Sequence, residues 1–510
     1  MNALAVLYGG SLAGEAFEPL FSGKSALFLA LEQARRFPGV EKLVLLGSDL
    51  CPLPAGVDLV SRPVWTKKTL LQTLSELSGG FDCTYYAWAD CPLLDPVLAG
   101  RIAERHLRYH AEYSYADGWP YGLAPELLAP GVAGILAKIL AEGDGPVERD
   151  ALFSVIQKDI NAFDIETEIS SIDLRSHRLS LTADSRRNVL LLSRLIEAGL
   201  SSAKAPATDA ERIIPARPEL LRTLPAFYTI QVAGPCPQVC SLCPYPKFSV
   251  PGFMEPDRFA ALLDKISAFS GDAVIDLSLW GELSLHPQKE ELIAAILERP
   301  ALSGVIETSG LGWKKAGLEA LAEAASKAAP RNRTLGPHGM AALSWIVSLD
   351  AADPGRYREI RGPGFAEAVN CAKTLATLFP KDTYVQAVRV KGVEDDIEQF
   401  YRSWKEEGAQ IIIQKYDDFC GALPKLQASD LSPVQRRPCW HLMRDMAILI
   451  DGRVPLCRET LNGGEMLGNV FTESLETIWA RGEPFYREQG AGLQYRGPCA
   501  GCDEYYTYNF

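Results

Sequence analysis

The sequence has no apolar run of the ~18 residues that a membrane-spanning helix needs. Its first residues lack the basic-then-apolar pattern of a secretion signal, so a protein of the cytoplasm is expected. Positive charge is also scarce. Lys and Arg number 51 against 64 Asp and Glu, and the net charge of −13 argues against a nucleic-acid partner. Internal repeats and low-complexity tracts are lacking as well, so no stacked repeat array is expected. What the chain does have is apolar residues, 47% of 510, enough for two or three cores. It also has 12 cysteines, seven of them in two spaced sets. Cys51, Cys83, Cys91, Cys371 and Cys420 are left over, an odd remainder that points to reduced thiols in the cytosol. Cys371 falls on the apolar stripe of a helix and reads as core. Cys420, just after the sixth of the strands described next, is the one leftover thiol near a candidate site and is read as inert.

The most informative set is Cys236, Cys240 and Cys243 in GPCPQVCSLCPYP. A C-x3-C-x2-C spacing supplies three thiolates to a cubane of four irons, which leaves one iron open to a ligand that is not a cysteine. Zinc is the alternative, but it would want a fourth ligand, and no His or Cys lies within the next forty residues. Three unrelated core thiols are the other alternative. Around this loop, β-rich runs alternate with helical patterns: FYTIQVAG, AVIDLSLW, GVIET, LSWIVSLD, TYVQAVRV and QIIIQ are separated by amphipathic stretches. In the first of these stretches Phe259, Leu262, Leu263, Ile266 and Phe269 form a one-faced stripe. Six such strands predict a parallel, partial (β/α)6 barrel with its functional loops at the carboxyl ends.

The cysteine loop and three segments after it resemble the radical S-adenosylmethionine (SAM) enzymes. Gly281 and Glu282 in LWGELSLHP resemble the GGE segment that holds the SAM amino group, with Trp280 in place of the first glycine. Thr308 and Ser309 follow the third strand where the family has TNG. In VSLDAADPGRYREIRGPGF, the resemblance puts Ser348 and Asp350 near the ribose and Arg361 on the SAM carboxylate. Leu242 stands where many relatives have an aromatic residue against adenine. The resemblance implies an enzyme, an oxidoreductase or modifying enzyme. It would reductively cleave SAM at a [4Fe–4S] cluster and use a 5′-deoxyadenosyl radical on a substrate. A one-electron donor such as flavodoxin or ferredoxin is then expected.

The second set is Cys439, Cys457, Cys499 and Cys502. Four thiolates complete a closed [4Fe–4S] site, with a four-cysteine zinc site as the alternative. The C-x12-G-x4-C hairpin and LGN…IW resemble SPASM and twitch extensions, here shortened to one cluster. His441, beside Cys439, reads as a packing or capping residue.

The first two hundred residues form a separate α/β, Rossmann-like pattern. DCTYYAWADCPLLDP, WPYGLAPELLAP and HRLSLTADSRRN resemble sugar-nucleotide cytidylyltransferases, whose Mg2+ would fall on Asp90 and Asp184. The first loop, YGGSLAGEAFEPLFSGK, has two acidic residues, no Arg and a late Lys24, which suits a triphosphate poorly. Boundaries are expected at 1–204 for this domain, 205–222 for an Ala/Pro-rich linker, 223–425 for the barrel and 426–510 for the tail. Residues 330–339 read as an exposed insertion. The whole arrangement resembles the spiro-SPASM family, which brings no assigned substrate. The front domain suggests a sugar nucleotide, bound or transferred, and the tail suggests a peptide to be matured.

Overall fold

The computed structural model describes residues 1–19, 23–47, 53–140, 145–200, 205–245, 251–331, 341–459, 465–492, 495 and 497–507. Cys51 and most of the 330–339 stretch lie outside the described residues. The chain forms two compact units, Met1–Thr223 and Leu224–Phe510.

The first unit is built on seven strands: β1 (Ala3–Gly9), β2 (Val40–Gly47), β3 (Asp58–Ser61), β4 (Cys83–Trp88), β5 (Tyr113–Asp117), β6 (Glu126–Leu128) and β7 (Ile165–Ile169). Their order in the sheet is β3-β2-β1-β4-β6-β5-β7. All neighbours are parallel except at β6, which runs antiparallel to β4 and β5. β1 and β4 are continuous apolar runs, buried throughout, as strands covered by helices on both faces must be. Residues 205–222 belong to this unit rather than hanging free. Their Ala/Pro/charge mixture reads as a linker, yet Ala207, Ala210, Ile213 and Ile214 form a buried stripe on a helix, Pro206–Ala216. The backbone N–H of Ala207 donates to Asp95 at 2.9 Å and ties the helix down.

The second unit holds β8 (Phe227–Ile230), β9 (Ala273–Asp276), β10 (Leu302–Thr308), β11 (Leu343–Ser348), β12 (Thr383–Arg389) and β13 (Gln410–Lys415), the six expected strands. They lie side by side in sequence order and all parallel, which makes the partial barrel. The helix Pro256–Ser270 buries Phe259, Leu262, Leu263 and Ile266, with Phe269 partly covered, as its stripe predicts. Burial of each of these side chains stabilises the unit by ~1.5–3 kcal/mol. The sheet has a seventh strand that local pattern does not reveal. β14 (Asp445–Ile448), from the tail, pairs parallel to β8 on its free side. Barrel and tail are therefore one body, with no division near 425. A hairpin of β15 (Arg453–Pro455) and β16 (Met466–Asn469) completes the tail strands.

Candidate active site

The loop after β8 carries Cys236, Cys240 and Cys243, and the loop after β9 is pressed directly against it. Gly281 has φ +136°, and a Cβ there would lie 1.9 Å from the Ala233 carbonyl oxygen, so only glycine fits. The N–H of Glu282 donates to the Pro235 carbonyl at 2.9 Å, one residue before Cys236. Trp280 also has positive φ, +43°. Its carbonyl accepts from Gln231 Nε2 at 2.8 Å and its indole packs on Phe419, which together hold a conformation that a glycine would adopt freely.

Glu282 is buried and turned toward the loop after β10. Its carboxylate accepts from Thr308 Oγ1 at 2.6 Å, from the Ser309 N–H at 2.7 Å and from the Ser284 N–H at 3.2 Å. After β11, Asp350 sits at φ +60° and accepts from the Val388 N–H at 2.8 Å and from Arg361 at 2.5 Å. Arg361 Nε donates to Gln238 Oε1 at 3.1 Å, inside the cysteine loop. The sequence reading gave Asp350 and Arg361 separate contacts, but they are bonded to each other. Ser348 Oγ donates to Glu307 at 2.8 Å, and Gln386 Nε2 donates to the same carboxylate oxygen at 2.8 Å.

These groups converge. Cys236, Cys240, Cys243, Gly281, Glu282, Thr308, Ser348, Asp350 and Arg361 all line one cavity of about 220 Å³ at the carboxyl rim of the barrel. Leu242 lines it too. The far wall adds residues that sequence reasoning missed, among them Glu307, Gln386, Lys415, Asp417 and Arg458. Position alone had a signal for Glu307, which sits one residue before Thr308. Below it, Asp276 accepts from Ser278, and burial pushes its carboxyl up to about 7. Burial likewise raises the thiols of Cys236, to about 11, and Cys243, to about 12. A thiol so placed becomes a thiolate when a metal takes the proton's place.

In the tail, Cys439, Cys457, Cys499 and Cys502 line a second, smaller cavity, and Cys420 lines it with them. The Cys420 thiol donates to Cys502, which helps lower the Cys502 thiol and raise its own. Nothing local in the sequence joins Cys420 to this set. Among the described residues, no three His, Cys, Asp or Glu side chains converge on a single ion position. Four thiols around one cavity suit a closed [4Fe–4S] cluster or a four-cysteine zinc site. His441 bonds Asp445 at 2.6 Å through Nδ1 and Thr507 at 3.3 Å through Nε2, so both ring nitrogens are engaged.

Asp90 and Asp184 are brought together in the first unit, but around Arg149 rather than an open space. Arg149 donates to Asp90 at 2.7 and 2.5 Å and to Asp184 at 2.9 Å. The expected Mg2+ does not fit this donor set, because a guanidinium already holds both carboxylates.

A parallel barrel with a three-cysteine rim loop, joined to a cysteine-lined tail, is the arrangement that the resemblance to radical SAM enzymes predicts. Residues 439–503 match the model of SPASM, an iron–sulfur cluster-binding domain. An uncharacterized protein of Treponema pallidum (strain Nichols) is 38% identical over 373 residues, 70% of this chain and 98% of that protein. The chain belongs to the same family as that protein, and its tail carries the iron–sulfur cluster-binding SPASM domain. Two solved structures are more distant. Streptococcus suis SuiB bound to its precursor peptide SuiA is 14% identical, covering 60% of this chain and 76% of that one, with a TM-score of 0.44. A cytidylyltransferase from Leptospira borgpetersenii is 18% identical, covering 43% and 95%, with a TM-score of 0.36. Among the described residues, no helix is long and apolar enough to cross a membrane.

Proposed function

We propose that Cys236, Cys240 and Cys243 hold a [4Fe–4S] cluster, that SAM binds beside it, and that the chain modifies a substrate in the same cavity. The observation that carries this reading is the single cavity in which three rim thiols meet the side chains after β9, β10 and β11. When bound, cluster and SAM supply one-electron cleavage of a sulfonium C–S bond and a 5′-deoxyadenosyl radical that takes hydrogen from the substrate.

The chain's own part is binding, orientation and exclusion of water. Glu282, fixed by Thr308 and Ser309, keeps lone pairs for an ammonium group. Arg361 has five donors and uses Nε on Gln238 and Nη1 on Asp350, so its remaining N–H groups suit a carboxylate. Asp350 then acts as a positioning residue for Arg361. Ser348, Gln386 and Glu307 form a donor and acceptor group suited to hydroxyls, as of a ribose. With Lys415 and Asp417 also on the wall, the substrate is polar, of sugar or peptide class.

In the tail, Cys439, Cys457, Cys499 and Cys502 would hold a closed second cubane, which when bound would supply one-electron transfer. A small one-electron donor protein supplies the first electron, in the reducing cytoplasm where cysteines are kept from forming disulfides. Reconstituted protein given dithionite and SAM is expected to release 5′-deoxyadenosine, and Cys240→Ala to abolish that release. A cluster-loaded sample that leaves SAM intact refutes the proposal.

A further inference from the structure

The first unit contains a crevice that its own side chains have filled. In an open, mostly parallel sheet, ligands bind beyond the carboxyl ends of the strands where the strand order reverses. Here that point lies between β1 and β4, which are neighbours although β2 and β3 extend the other way. Tyr8 and Trp88 stand opposite each other in register at those two strand ends. Their rings pack edge to face at 4.7 Å, and Trp65 adds a third ring 6.2 Å from Tyr8. Trp65 is pinned by its indole N–H to the Gly47 carbonyl at 2.9 Å.

This aromatic row occupies the two places that a nucleotide and its cation would need. At one end, Trp65 and Tyr8 cover the glycine turn. A Cβ on Gly10 would lie 2.5 Å from the Trp65 ring and 2.8 Å from the Tyr8 hydroxyl, so the turn's glycine admits an indole rather than a phosphate. At the other end, Arg149 lies 4.1 Å over the Trp88 ring and 5.5 Å from the Tyr121 ring. From there it makes three charge-assisted hydrogen bonds to Asp90 and Asp184, while Asn188 donates to Asp184 at 2.8 Å. A divalent ion would have to displace a fork that matches these carboxylates in shape and charge. The charge around the glycine turn agrees: Glu15 and Glu18 are acidic, and Lys24 is paired with Glu32 at 2.7 Å.

We infer that Arg149 takes the place of a divalent cation in the first unit, and that Trp65 and Tyr8 take the place of a nucleotide. The unit is then a closed body that neither binds nor transfers a nucleotide. Any sugar or nucleotide chemistry of the chain resides in the barrel.

The test is Mn2+ binding by the full-length chain, read as loss of the free Mn2+ electron paramagnetic resonance signal. The wild-type chain is expected to bind no Mn2+ through Asp90 and Asp184. Arg149→Ala is expected to gain one Mn2+ site per chain that the wild type lacks, lost again in the Arg149→Ala/Asp184→Asn double variant. Equilibrium dialysis with CTP and Mg2+ is expected to show equal retention by the wild-type and Asp90→Asn chains, because nucleotide held in the barrel is untouched by that change. The inference is overturned by a wild-type Mn2+ site that Asp90→Asn removes or by CTP retention that Asp90→Asn removes. A folded Arg149→Ala chain, checked by circular dichroism, that gains no site also overturns it.

Discussion

Replacing Gly281 with alanine is the sharpest perturbation that the barrel rim offers. The residue sits at φ +136°, a region that side-chain-bearing residues enter at a cost of ~1–3 kcal/mol. The added Cβ would also lie 1.9 Å from the Ala233 oxygen and 2.8 Å from its carbonyl carbon. Both atoms are backbone, so the clash is relieved only by moving the chain. Overpacking of this kind adds ~1–3 kcal/mol. A combined loss of ~2–6 kcal/mol in local stability corresponds to roughly 30- to 20,000-fold faster amide exchange, at 1.4 kcal/mol per decade. The assay is hydrogen–deuterium exchange of the peptide spanning β8 and residues 231–235. Gly408→Ala is the control, because it also has positive φ, +74°, but its Cβ would meet nothing within 4 Å. It should show only the smaller, conformational part of the effect. The Gly281 variant should also take up less iron, since Ala233 and Pro235 lead straight into Cys236. Equal protection in the two variants, with full iron loading in both, would refute the steric argument.

Three further outcomes are expected. Glu282→Gln replaces an acceptor of Thr308 and Ser309 with a group that can oppose the Ser309 N–H, a loss of ~1.5–3 kcal/mol that thermal melting of the cluster-free chain should register together with weaker SAM binding in calorimetry. Asp276→Asn should stabilise the chain at pH 8 and lose that advantage near pH 4. The folded carboxyl is held up to about 7 against an ordinary 3.8, so the folded state binds the extra proton and the wild type loses stability as pH rises through that interval, by up to ~4 kcal/mol. Cys420→Ala should leave about eight irons per loaded chain, the content of two cubanes, while altering the electron paramagnetic resonance spectrum of the tail cluster; a fall to about four would make Cys420 indispensable to that cluster.

The parts of the molecule legible in the sequence were those written in local periodicity. The six barrel strands, the helix at 256–270 and the cysteine spacing each declare themselves within a short window. The convergence of Gly281, Glu282, Thr308, Ser348, Asp350 and Arg361 followed from strand ends, because a parallel barrel delivers every such loop to one rim. What stayed hidden depends on distant partners. Arg149 meets Asp90 across 59 residues, and no pattern in PVERDAL marks it as a counter-ion. Cys420 joins the tail thiols by tertiary packing alone. The helix at 206–216 carries a Pro at its start and another inside, which masks a buried stripe. Asp350 and Arg361 looked like two ligand contacts because sequence shows residues, not which of them satisfy each other.

The pairing of β14 with β8 sets a constraint on how the chain is made. The strand that leads into the cysteine loop, Phe227–Ile230, is hydrogen-bonded on one side to Asp445–Ile448, more than two hundred residues later. A growing chain therefore displays one open flank of β8 until residues 445–448 have left the ribosome. Such a flank is a template for pairing with other chains, and long-range parallel closure is slow. A barrel cut off before residue 445, the natural choice for a minimal core, would keep all six of its strands and still clump, whereas the tail supplied on the same chain acts as the closing hem of the sheet.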